Sequence, residues 1–411
     1  MACEPKAKPT MPVHGRSFGC YGHAPSESTN AQRHFASDYG TIEPMPDSSS
    51  ACSTMRPRPR RVCISMWHGV MLGMLTAGCL HDPAPEILVR ENPTTPRLAF
   101  QDAFIIVDTL HIVETPDGPS VWPRVRGDGR GGFLIADMRK GSIAQYSPSG
   151  ALIRWKDTKA DGLGVPDPAA VLPLPGGGFL VVSNGSGIGL VLDSIFGLSH
   201  RVSLPVRFTE DVAILSDSIA VVAGTGEYLR DPVLRTWNFR RDTVITSYFR
   251  PGELVAPELA AAIRWIAVEA LSPDRLGAVY PAVDTIFYFN PNGHLVERVG
   301  LPFRDLRLPR SIPAAARRDP RARREWLTQI DLITTIAFGH DGTVVVPYQS
   351  FTLGGEPTSH LLVADRTGNG HLDIRSLPTL LHWDSENGHF YLELDRTTGT
   401  WLVATLRTMG E

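Results

Sequence analysis

Three stretches of the chain set chemistry-bearing residues at suggestive spacing. Asp365-Arg366-Thr367-Gly368-Asn369-Gly370 carries oxygen donors where a calcium loop would use them, but the twelfth position is Ser376, and the loop needs a bidentate carboxylate there. A hairpin turn accounts for the same residues. The glycine-rich run from Pro175 to Gly189 misses the G-x-G-x-x-G spacing that lets backbone amides cradle a pyrophosphate, and its neighbours alternate like strands, so no dinucleotide site is read there. Five of the 13 histidines fall between His340 and His389. They lie on separate strands and turns, with no H-x-x-x-H or H-E-x-x-H spacing to bring two imidazoles to one metal. There is no G-x-S-x-G elbow, and no cysteine follows Cys79, so a thiol nucleophile is excluded from the main domain. The sequence therefore assigns no catalytic residue, no metal ligand set and no cofactor.

Cysteine placement instead points to processing. All five cysteines lie in the first 79 of 411 residues, which excludes a disulfide framework downstream. Met55 to Cys79 reads as an export signal over residues 55–78: a basic cluster at Arg56 to Arg61, an apolar stretch from Val62 to Leu75, then small residues. That stretch is too short to span a bilayer comfortably. Leu75-Thr76-Ala77-Gly78-Cys79 resembles the lipobox of bacterial lipoproteins, with Thr76 where the family usually has an aliphatic residue. The resemblance implies that Cys79 becomes the lipid-bearing first residue of the mature protein. Its implied location is the cell envelope, facing the periplasm or the exterior. Leu80 after the cysteine, in place of a retention-signal Asp, favours the outer membrane. Residues 1–54 lack apolar periodicity and are expected to be disordered, with Met55 the economical start of translation. Labelled palmitate that is absent from a Cys79→Ser variant would be the expected result for the anchor.

Residues 79–98 are Pro-rich and read as a tether. From residue 99 to 411 a unit recurs: GDGRGGFLIAD, PLPGGGFLVVS, ILSDSIAVVAG, LSPDRLGAVYP, FGHDGTVVVPY and DSENGHFYLEL. Each is a turn followed by a short apolar strand, and each is preceded by another strand, as in VWPRV or PTLLHW. A third strand leads into a hairpin whose turn repeats almost literally, QYSPSGALI and YFNPNGHLV. Pro presets φ there and Gly accepts positive φ. Four short antiparallel strands per unit, six times over, are the sign of an all-β six-bladed β-propeller. DAFIIVDTLHIVE, ahead of the first full unit, is expected to complete the last blade. Two long inserts, ELVAPELAAAIRW and PAAARRDPRARREWLTQI, carry helix formers. Five arginines between Arg317 and Arg324 read as a solvated helix face ahead of an anion-binding patch. The units resemble NHL-type repeats, which implies the propeller fold and leaves function open, since that fold hosts scaffolds and enzymes alike.

The net charge of −3 and pI near 6.5 give no basic footprint for nucleic acid. Propellers place ligands on the axis or where loops of successive blades converge. The loops after the second strand of each unit are therefore the first place to look. They offer Asp137, Arg139, Asn184, Glu227, Tyr228, Tyr348 and Gln349, with Asp137 equally suited to bonding turn amides. The reading is a membrane-tethered, non-catalytic binding module for an envelope protein, peptide or glycan. The alternatives are a propeller hydrolase or dehydrogenase with a metal or quinone cofactor on the axis, and an architectural subunit of an envelope complex.

Overall fold

The computed structural model describes residues 87–407 apart from 92–93, 122, 160–162, 226–230, 264 and 353–356, with 87–91 described by backbone alone. The signal segment and Cys79 lie outside the described residues.

The six units are six blades of meandering antiparallel strands. Blade 1 runs Pro123–Gly127, Phe133–Asp137, Ser142–Tyr146 and Leu152–Asp157 from inside to outside. The inner strands of blades 2 to 6 are Pro168–Pro173, Phe208–Ile214, Ala267–Ser272, Ala337–Phe338 and Thr379–Asp384. Blade 6 has only three strands from its own unit. Its fourth is Phe104–His111, which pairs antiparallel with Thr400–Leu406, from Phe104 opposite Leu406 to His111 opposite Thr400. The ring thus closes as expected, with the first propeller strand bonded to the last.

The repeated apolar motif has a physical cause in how blades stack. The second strand of each blade is covered on both sides, so both side-chain parities are buried and the run reads as continuously apolar. In blade 3, Ala220 and Val222 pack toward blade 2 while Val221 and Ala223 pack toward blade 4. Six such layers, one between each pair of neighbouring blades, replace a single central core. The repeated hairpin turns behave as their residues require. Gly150 and Gly293 sit at φ +78° and +79°, and a Cβ on Gly150 would come within 2.4 Å of the His111 carbonyl oxygen.

Short helices decorate the ring. α1 (Phe100–Ala103) leads into the closing strand. α2 (Pro257–Ala262) precedes blade 4, and α3 (Ala314–Arg318) and α4 (Pro320–Leu327) lie between blades 4 and 5. α2, α3 and α4 share a small core of their own built on Leu259, Ile263, Tyr280, Ala316 and Trp326. Part of the expected tether is strand. Ile87–Glu91 pairs with Asp305–Pro309, and Arg97–Ala99 adds in parallel to the outer strand of blade 5.

Candidate functional site

In a meander, the turns joining first to second strands share one end of the ring, and the turns joining second to third strands share the other. The residues singled out from sequence belong to the second kind. Asp137 is buried, and its carboxylate accepts from Ser120 Oγ and from the Val121, Arg139 and Lys140 amides at 2.6 to 3.0 Å. That is turn bonding, to which an Asp at this position is equally suited. Arg139 is exposed. Asn184 is half-buried, and its amide donates to Met138 Sδ at 3.2 Å. Glu227 and Tyr228 lie outside the described residues. Tyr348 is fully buried, its hydroxyl donating to Asp373 at 2.6 Å. It is a core residue because the second strand of blade 5 runs on through it to Phe351. Gln349, next along that strand, is half-buried and opposite Ser359. The described positions are spread over blades 1, 2 and 5 and do not form one cluster.

The inner strands converge elsewhere. A cavity of about 390 Å³ opens on the axis and is lined from all six blades. In blade 1, Arg124 and Arg126 alternate around buried Val125, so both side chains take the face opposite the inter-blade core. Both reach past blade 2 to blade 3: Arg124 donates to the Glu210 carbonyl at 2.8 Å and Arg126 to the Asp211 carboxylate. Glu269 of blade 4 completes the group, 4.0 Å from the Arg126 guanidinium. Asp211 is almost enclosed, and its second oxygen accepts from the Val268 amide at 3.0 Å. Blades 1, 3 and 4 are thereby tied across the axis through one guanidinium. The Asp211 charge holds Arg126 above its ordinary value.

Around this group the wall is aromatic and histidine-bearing. Trp383, Phe338 and Tyr391 line it, and His382 of blade 6 stacks on Tyr391 with ring centroids 5.9 Å apart. Burial, aided by Arg126, pushes His382 down to about 4, so it is a neutral ring at physiological pH. His340 and Glu386, from the turns of blades 5 and 6, face each other 3.7 Å apart at the exposed rim.

Glu269 carries the other large shift. Burial raises its carboxyl to about 7, against the lowering pull of Arg126. An acid raised above its unfolded value of 4.5 binds more protons folded than unfolded. Its contribution is therefore full below that value and is lost as pH rises through about 7. His382 works in the opposite sense, its contribution being lost as pH falls from 6.5 toward 4. The side chain of Glu269 is 35% exposed, and water screens it accordingly. The stability difference between the wild type and Glu269→Gln is expected to move by about 1 kcal/mol in favour of the variant between roughly pH 5 and pH 8. Denaturant unfolding at several pH values measures it, and a flat difference would refute it.

Neither a metal site nor a nucleophile emerges from these groups. Among the described residues no three His, Cys, Asp or Glu side chains are placed to share a metal. Two carboxylates from different blades do converge on the axis, but both oxygens of Asp211 already serve Arg126 and backbone amides. A cation would have to displace a guanidinium. Asp365 of the calcium-like loop spends its carboxylate on Thr367 and Asn369, which hold it well below the usual range. Ser350 Oγ and His360 Nε2 meet at 2.7 Å, the spacing of a nucleophile and its base. However, His360 Nδ1 accepts from the Ser376 amide at 3.2 Å, which leaves the proton of the neutral ring on Nε2. The imidazole donates to the serine and cannot take its proton.

No protein-family model matches the chain, and no curated protein matches it in sequence. Solved structures match in shape. A DUF4221 family member from Bacteroides vulgatus shows 10% identity over 75% of this chain and 99% of its own, with a TM-score of 0.54. A Bacteroides fragilis protein named as exported shows 11% identity over 76% and 98%, with a TM-score of 0.52. At such identities the likeness is one of fold.

The axial residues were readable in principle. They are polar positions of the first strands, RVR in blade 1, TED in blade 3, VEA in blade 4 and LHW in blade 6. First strands line the axis of a propeller, so asking which of their alternating side chains are polar would have found Arg126, Asp211, Glu269 and His382.

Proposed function

We propose that this chain is a lipid-anchored, extracytoplasmic propeller that binds a protein, peptide or glycan at its axial funnel and does no chemistry on it. The observation that carries the reading is the convergence of six blades on one open cavity whose charged groups are paired with each other, not set as nucleophile and base. A volume of about 390 Å³ is in the range of sites that take one small group. A larger ligand would lower a single side chain or sugar ring into it. Glu269, partly exposed, offers an acceptor, and the Trp383 face offers a stacking platform. The Bacteroides fragilis protein named as exported, similar in fold, is consistent with a place outside the cytoplasm.

Screening purified protein on peptide and glycan arrays, then titrating each hit, tests the reading. Trp383→Ala and Glu269→Ala are each expected to weaken a hit about tenfold or more, the cost of a buried aromatic or charged contact. Arg139→Ala and Asn184→Ala should leave it unchanged. The reverse pattern would move the site to the opposite end of the ring, where sequence reasoning had looked. Turnover of a hit that the axial substitutions abolish would replace the binding module with an enzyme. Bound metal or an absorbing quinone in the purified protein would favour the hydrolase or dehydrogenase.

A further inference from the structure

We infer that the arginine-rich insert between blades 4 and 5 is a docking surface for an anionic bilayer, and that it turns the propeller's axial funnel away from the membrane. The inference builds on the lipid-anchor reading of Cys79 and adds where on the propeller the anchor is held. The first described strand, Ile87–Glu91, does not run free. It pairs antiparallel with Asp305–Pro309, so that Ile87, its end nearer Cys79, lies opposite Pro309. Pro309 is the residue at which the chain enters the insert, through Arg310 to α3 and α4. Seven residues lie between Cys79 and Ile87, and the eight residue steps fully extended reach roughly 27 Å. A lipid on Cys79 therefore keeps the start of the insert within that distance of the bilayer.

The insert has the chemistry to meet such a surface. Between Arg304 and Glu325 there are eight arginines against three carboxylates, in a chain of net charge −3. Arg307 is spent inside, on Asp331 and the Thr328 carbonyl, and fixes the inner end of the insert to the ring. Arg318, Arg321 and Arg324 point outward, and Arg321 is 82% exposed even with its Glu325 partner. Trp326 and Ala316 anchor the two helices in their own small core, so the guanidinium groups are presented from a fixed scaffold. A basic patch beside a lipid anchor adds electrostatic attraction to anionic headgroups and so sets which face of the protein meets the bilayer. The insert also follows the last strand of blade 4 and precedes the first of blade 5. It thus emerges at the end of the ring opposite the turns that frame the axial funnel. With the basic end on lipid, the funnel opens outward.

The test uses the chain from Leu80, which keeps every described strand and carries no lipid. Its binding to phosphatidylcholine vesicles is compared with and without phosphatidylglycerol. Binding is expected only to the anionic vesicles, and to vanish near about 1 M salt, where the screening length falls to about 3 Å. R318E/R321E/R324E should bind roughly a hundredfold more weakly, from about fivefold for each arginine lost. The matched variant R130E/R201E/R240E, with the same change in net charge on other blades, should lose far less. An unchanged thermal melt keeps misfolding out of the comparison, and the neutral pair R318Q/R324Q should show an intermediate loss. Equal binding to neutral vesicles, or equal loss in the two triple variants, would overturn the inference. Absence of palmitate from Cys79 with vesicle binding intact would remove the anchor and leave the surface standing.

Discussion

A chain that begins at Glu114, lacking Phe104–His111, is expected to lose cooperative folding altogether. The missing strand supplies the whole outer edge of blade 6, seven paired positions from Phe104 to His111 along Thr400–Leu406. It also supplies side chains to two of the six inter-blade layers. Phe104 packs edge-on against Phe390 between blades 5 and 6, and Leu110 sits beside Trp401 and Tyr146 between blades 6 and 1. In an open array, removing a terminal strand would cost only its own contacts. In a ring it also releases the closure that holds blade 1 against blade 6, and it bares Thr400–Leu406 as an unpaired edge. With total stability ordinarily about 5 to 15 kcal/mol, a loss on this scale exceeds what the fold has to give. Circular dichroism melting and size-exclusion chromatography of the chains starting at Leu80 and at Glu114 make the comparison. A sharp, monomeric melt from the shorter chain would show that the ring does not depend on this closure. Supplying Phe104–His111 as a separate peptide should restore part of the transition.

The ring was legible because its constraints are local and repeated. A strand covered on both faces is apolar along nearly its whole length, and FLIA, FLVV and IAVVA say so without reference to the rest of the chain. Turns that need positive φ announce themselves with Gly150 and Gly293. The closing strand was legible as the piece left over before the first full unit. The extra strand at Ile87–Glu91 was not. Its partner lies more than 200 residues away, inside an insert that breaks the repeat, and the prolines around it read as a tether.

The axial cavity was harder to read, because it depends on how first strands from all six blades meet. Sequence reasoning chose the loops after second strands, where polar side chains are abundant, and so arrived at Asp137, Arg139 and Asn184. Of these three only Arg139 is exposed. The funnel instead lies between first strands, where Glu269 and His382 are single polar letters in VEA and LHW while Arg126 and Asp211 sit among other polar residues in RVR and TED. Arg126 and Asp211 are 85 residues apart in sequence, on blades that are not neighbours. No spacing rule links them, because the ring geometry that brings them together is a property of six units and not of any two.

That bridge should be the most sensitive point on the axis. Asp211→Ala is expected to destabilise the fold by about 3 kcal/mol, the lower end of what breaking a buried pair costs, since Arg126 keeps some access to water. Two separate losses contribute. Arg126 is left with only the more distant Glu269, and the Val268 amide loses its acceptor, so blade 3 loses a polar tie to blade 4 as well as one to blade 1. Asp211→Asn separates the two, because an amide oxygen can still accept from Val268 while the charge is gone, and it should cost less than alanine does. The double substitution Arg126→Met with Asp211→Leu removes both charges and refills the space. If the penalty in the single variant is that of a stranded charge, the double variant should recover much of it, since apolar pairs of similar volume often replace buried ion pairs at little cost. Denaturant unfolding of the wild type, Arg126→Met, Asp211→Leu and the double variant gives the coupling directly. Additive losses in the double variant would mean that the two residues stabilise the ring independently, and that the cross-axis bridge contributes nothing of its own.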